Sequence, residues 1–149
     1  MSEPYNPDSA DLQEHMVELT RAFGWHRPGS TPCGQPVPIA EAHALLELSK
    51  SPGITQRDLA AVLNLRKSTV SRVVSNLEKR KWVVRARSES DGRAVEVSLT
   101  DDGTKAAAEL AAARQAKMVG ILDRIPEADR ATVLDALRTL IEAIHAKNS

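Results

Sequence analysis

Cysteine is almost missing from this chain. Cys33 stands alone among 149 residues, which excludes an internal disulfide framework and fits a reducing compartment, so the cytoplasm is the expected location. Aromatic residues make up only 3%. With alanine and leucine abundant, that scarcity favours helices packed on helices. No apolar run approaches the roughly 20 residues needed to cross a bilayer, so no membrane partner is expected. The opening stretch MSEPYNPDSADLQEH is polar and acidic and reads neither as a secretory signal nor as a transit peptide. There is no Gly-rich phosphate loop and no Ser/His/Asp or Cys/His set in suggestive context, so no catalytic residue or cofactor is expected. His15, His26, His43 and His145 are dispersed without ligand spacing, and no metal site is expected. What remains is 42% hydrophobic and 27% charged, enough for one domain with a real core.

Net charge is also missing: 20 bases balance 20 acids. The balance hides a pattern. Residues 64–93 carry nine bases against three acids, a net of +6, so the rest of the chain totals −6. A basic centre in an acidic frame concentrates positive potential on one part of the surface, which suits a polyanionic partner.

Hydrophobic periodicity predicts a first helix from about Asp8 to Phe23, with Leu12, Val17, Leu19 and Phe23 on its apolar side. The segment GWHRPGSTPCGQPVP is a loop. A second helix follows from about Ile39 and is stopped by Ser51-Pro52-Gly53. TQRDLAAVL is a short helix capped by Thr55, with Asp58 three residues on. Asn64 marks a sharp turn, since Asn tolerates the left-handed conformation. A further helix runs from about Lys67 to Arg80. The period then changes. WVVRAR and AVEVSL read as strands of a hairpin, with Asp91-Gly92 as the turn signal. Thr100 caps a long alanine-rich helix reaching Ile125, and Pro126 opens a last helix to about Ala146.

The stretch LRKSTVSRVV, Leu65 to Val74, asks for more than a solvated surface. On a helix, Val70, Val73, Val74 and Leu77 share one side. Opposite them lie Ser68, Arg72, Ser75 and Lys79, flanked by Ser71 and Asn76. An α-helix enters the major groove of B-DNA if the side chains on its inner face are short, and arginine can grip guanine O6 and N7 with a bidentate fork. A short capped helix, a tight turn and a second helix make a helix-turn-helix. The hairpin adds a wing, with Arg85, Arg87 and Arg93 near or in its loop, and the narrow minor groove attracts arginine. Asp91 is placed to brace Arg93 through a salt bridge.

The run PGITQRDLAAVLNLRKSTVSRVVSNLEKRKWVVR, followed by SDGRAVEVSLTDDG, resembles the MarR family of bacterial winged-helix transcription regulators. The match is strongest over about Ile39 to Gly103. STVSRVVSNLEKR, Asp-x-Arg and the closing Leu-Thr-x-x-Gly are specific in combination. The resemblance implies an α+β fold, mainly α with a small β-hairpin wing: a winged helix-turn-helix lobe plus a helical dimerisation arm. It implies a homodimer on a pseudo-palindromic double-stranded operator, with Lys67, Ser68, Thr69, Ser71, Arg72 and Ser75 on the recognition helix and Arg87, Asp91, Gly92 and Arg93 on the wing. Two positions depart from the family pattern. Arg66 holds a helix-cap position usually given to a small polar residue, and Gly92 stands where a second wing base is common.

The last helix repeats Val133, Leu137, Leu140 and Ile144, widened by Leu134 and Ile141, a stripe broad enough for an interhelical seam. With Leu12 and the end of the long helix, it is the expected dimer interface. The organisation expected is a dimerisation helix and loop over 8–36, a DNA-binding lobe over 37–100 and dimerisation helices over 101–149. The resemblance implies a regulator, most often a repressor, released by a small aromatic or other small-molecule effector. It puts that effector where Trp25, His26 and His43 would line a pocket, although core packing is the plainer reading of Trp25 and His43. Cys33 lies in a loop, not in the first helix where the family senses peroxide, and reads as an ordinary thiol. The alternative function is a winged-helix module that binds protein without reading DNA sequence.

Overall fold

The computed structural model describes Pro4 and residues 6–149. Its elements in order are α1 (Pro7–Phe23), α2 (Ile39–Lys50), β1 (Ile54–Thr55), α3 (Gln56–Leu63), α4 (Lys67–Lys79), β2 (Val83–Arg87), β3 (Val95–Leu99), α5 (Asp101–Leu122) and α6 (Glu127–Asn148). Two compact units divide the chain, one ending at Ala113 and the other comprising Arg114–Ser149. Among the described residues no helix is long and apolar enough to cross a membrane.

The first unit is built round α2, α3 and α4. Leu45 and Leu48 of α2, Leu59 of α3, and Val70, Val74 and Leu77 of α4 are fully buried, together with Val97 of β3. The valine side of α4 therefore faces the core, as its spacing requires. Local chemistry sets the element ends. Thr55 Oγ accepts the backbone N–H of Asp58 at 3.1 Å and starts α3. Asn64 ends it in the left-handed conformation, φ 54°, which makes the tight turn into α4. A three-stranded antiparallel sheet closes the core, in the order β1-β3-β2. Arg85 pairs with Val97 and Arg87 with Val95, while Ile54 pairs with Val97 on the other side. β1 was outside the sequence expectation; it adds a third strand to the hairpin.

Two ends differ from expectation. The long helix stops at Leu122 rather than Ile125, because Asp123–Ile125 tighten into a turn ahead of Pro126, which cannot donate a helical N–H. Arg130 Nε bonds the Ile125 carbonyl at 3.1 Å and holds that turn. The last helix, in turn, runs on to Asn148.

Trp25 and His43 are not core residues. Both are exposed, Trp25 to 45%. Trp25 lies against Phe23 with ring centroids 4.5 Å apart, and α1 has no buried residue, so no core exists beside it to receive the indole. In the second unit α6 likewise buries none of its residues. Leu134, Leu137, Ile141 and Ile144 are exposed there, as are Met118, Val119, Ile121 and Leu122 of α5.

Candidate nucleic-acid interface

Burial of the α4 valines turns the other side of the helix outward. Lys67, Ser68, Arg72 and Lys79 are exposed, while Thr69, Ser71 and Ser75 are half-buried. Arg66 is the N-cap residue in extended conformation, with no side-chain capping bond, and the first turn holds no acid. The helix therefore starts with open N–H groups and its partial positive charge unneutralised.

The wing is braced to this helix by Arg85. Its Nη2 donates to the Ser71 carbonyl at 2.7 Å and to Ser75 Oγ at 3.1 Å. Nη1 lies 3.4 Å from Glu78 Oε1. Arg85 and Arg87 stand in β2 rather than in the hairpin loop, and of the two only Arg87 is exposed. Two residues apart, they share a face of the strand; Arg85 lies beside α4, whereas Arg87, nearer the tip, meets solvent.

The tip, residues 88–94, is held by short side chains. Ser88 is buried, and its Oγ accepts the Asp91 N–H at 3.3 Å. Asp91 Oδ1 accepts the backbone N–H of Arg93 at 3.1 Å. This corrects the expected salt bridge: Asp91 shapes the backbone at Arg93 and leaves the guanidinium to solvent, where Arg93 is exposed. Gly92 is not in the left-handed region and nothing crowds its missing side chain. The turn therefore comes from Ser88 and Asp91, not from glycine's conformational freedom.

A cleft runs between the wing and the starts of α3 and α4. Thr55, Gln56, Arg57, Lys67, Asp91, Arg93, Ala94 and Val95 line it. It gathers Lys67 of the helix with Arg93 of the wing, and adds Gln56 and Arg57, which sequence reasoning missed. Their only signal was a position next to the Thr55 cap; that the head of α3 faces the wing follows from the packing.

Trp25, His26 and His43, the expected effector residues, are all exposed. His26 joins Met16, Val17, Thr20 and Arg21 along a shallow groove on α1. Cys33 Sγ lies 2.8 Å from Thr31 Oγ. Among the described residues no three His, Cys, Asp or Glu side chains gather into a metal-holding group.

Comparison with known proteins agrees with this geometry. A family model described as MarR family matches residues 35–94, the stretch that holds α2, the helix-turn-helix and most of the wing. An uncharacterized HTH-type transcriptional regulator of Mycobacterium bovis is 30% identical over 138 residues, 93% of this chain and 90% of that protein. Among solved structures, Streptococcus pneumoniae FabT in complex with DNA superposes with a TM-score of 0.78 at 22% identity, covering 93% of this chain and 98% of that one. The PcaV regulator of Streptomyces coelicolor in complex with its natural ligand gives 0.65 at 22% identity, covering 97% and 99%. By sequence over nearly its whole length, and by a helix-turn-helix followed by a wing, this chain belongs to the MarR family of winged-helix transcriptional regulators.

Proposed function

We propose that this regulator is a homodimer that binds a pseudo-palindromic double-stranded operator and represses transcription until a small-molecule effector releases it. One observation carries the DNA reading: the polar side of α4 is open to solvent at Ser68 and Arg72, next to a wing that presents Arg87 and Arg93. Such a helix can lie in the major groove, since serines permit close approach and Arg72 can take guanine O6 and N7. Lys67, Ser68, Thr69, Ser71 and Ser75 then meet phosphates or base edges. Arg87 and Arg93 reach the adjoining minor groove, on a tip shaped by Asp91 and Gly92. A phosphodiester strand crossing the cleft would meet Arg57, Lys67 and the open N-terminus of α4. FabT, solved with DNA, supports this assignment, as PcaV with its natural ligand supports a small-molecule effector.

The dimer reading rests on apolar area that the chain does not cover. Leu12 of α1 and Leu137, Ile141 and Ile144 of α6 are exposed, and Val133 and Leu140 are half-buried. Uncovered apolar side chains repeated along one helix, as on α6, mark an interaction site. The segments 8–36 and 101–149 are accordingly the dimerisation elements and 37–100 the DNA-binding lobe.

Selection from random duplex DNA with the purified protein tests the reading. A motif with two-fold symmetry and half-sites about one helical turn apart is expected. A dimer that neutralises roughly eight phosphates should lose on the order of 10⁴ in affinity between 50 and 200 mM salt. Arg72→Ala should reduce specific over random-DNA binding by about 1–3 kcal/mol. No enriched motif, with a flat salt response, would replace this reading with a protein-binding winged helix.

A further inference from the structure

We infer that Arg85 is a positioning residue whose guanidinium locks the wing to the recognition helix and so sets the spacing between the two DNA-reading elements. This rests on the DNA-binding function proposed above.

β2 is an edge strand. β1 lies on the far side of β3 and pairs with Val97 and Glu96, level with Arg85 and Ala86, so it braces β3 and leaves the outer side of β2 without a strand. Beyond Arg85, Ala86 and Arg87 are exposed, and the tip is held by bonds within itself, from Ser88 to Ala94 and to Asp91. Arg85 is thus the outermost side chain of β2 that bonds α4 among the described residues.

The bonds it makes suit a lock. One nitrogen grips the Ser71 carbonyl and the Ser75 hydroxyl, and the other faces Glu78. These three positions, four and then three residues apart, run along one side of α4. Rotating the helix about its axis, or sliding it, breaks at least one bond. Arg85 Nε is buried without a hydrogen-bond partner. A guanidinium placed only for solvation would not leave that N–H unpaired, so its pose is dictated by the other two nitrogens. Lysine cannot reproduce this grip, because a single ammonium lacks the planar fork. A wing held in place before binding also avoids the ordering loss that a loose hairpin would suffer on the duplex.

The test uses a duplex selected by the wild-type protein, made with A·T-rich and with G·C-rich flanks. Wild type should prefer the A·T flanks by about tenfold, within the range that one good groove contact supplies. Arg85→Met and Arg85→Lys, checked for folding by circular dichroism and melting, should drop to about twofold, like Arg93→Ala, because a displaced wing no longer reads the narrow groove. Adding Arg93→Ala to Arg85→Met should then change nothing further. A folded Arg85→Met protein that keeps the full flank preference overturns the inference, as does a further loss in the double variant. Should Arg85→Met not fold, Ser75→Ala removes one acceptor and keeps the charge pair. A partial loss of flank preference is expected there, and an unchanged preference overturns the proposal. Failure of the DNA reading itself looks different: wild type then selects no motif.

Discussion

Gly103, in the first turn of α5, packs its bare Cα against the Trp82 carbonyl. A side-chain carbon built on it would overlap the carbonyl oxygen and stand 2.8 Å from the carbonyl carbon. That oxygen also accepts the Thr100 N–H at 2.9 Å, so it cannot swing aside without breaking the join between hairpin and helix. The glycine of the Leu-Thr-x-x-Gly run is thereby explained: it lets α5 start in contact with the recognition-helix exit. Gly103→Ala should destabilise the protein by about 1–3 kcal/mol through overpacking, against the roughly 1 kcal/mol that alanine ordinarily contributes over glycine inside a helix. Urea unfolding at fixed protein concentration reads the sign. A raised midpoint would show that the contact relaxes freely.

Lys81 poses the opposite problem. It follows the C-cap of α4 with φ 63°, a conformation that crowds any Cβ. Its carbonyl accepts the Thr100 hydroxyl at 2.7 Å, which holds the residue there. Glycine suits such a position. Lys81→Gly should stabilise the fold by about 0.5–1 kcal/mol and raise the melting temperature by roughly 2–4 °C per kcal/mol. A lower melting temperature would mean that the backbone at 81 is not the strained point.

These two positions mark where sequence reading succeeds and where it stops. Thr55 and Asn64 were legible because capping and left-handed turns are local, decided by one side chain and its own backbone. The α4 face was legible because a 3.6-residue period separates valines from serines and arginines. Lys81 was not, since lysine carries no turn signal. β1 was not, because Ile54 and Thr55 are a strand only through pairing with β3. Arg85 counted as one more wing base; that it faces Ser71, fourteen positions earlier, depends on how the sheet lies on the helix. Trp25 was misread for a related reason. A large ring usually finds a core, but α1 brings none within the chain.

Arg66 separates stability from binding. It caps α4 in an extended conformation, φ −68° and ψ 150°, without a side-chain bond. Serine could accept an N–H from the first turn, so Arg66→Ser should stabilise the protein by about 1 kcal/mol. If Arg66 meets a phosphate, the same change should weaken binding about equally on all sequences and reduce the salt slope by roughly 1. Thermal melting and a salt titration on two unrelated duplexes check both halves. A loss confined to the selected sequence would make Arg66 a base reader instead.

Leu137 tests the dimer without disturbing the monomer. It is 42% exposed, and Ile141, one turn on, is 51% exposed. In a solitary chain, changing so exposed a leucine to glutamate alters stability by no more than about 0.5 kcal/mol. In an interface that excludes water, the same carboxylate would be desolvated without a partner, a penalty of several kcal/mol, and two-fold symmetry would apply it twice. Leu137→Glu is therefore expected to sediment as a monomer of about 16.2 kDa with its helical circular dichroism largely kept. Because each half-site would then be held by one lobe alone, affinity for a two-fold operator should fall by a factor of 10² or more, as linked sites lose their effective concentration. Sedimentation velocity on both proteins decides it: an unchanged mass for Leu137→Glu would remove this face of α6 from the interface.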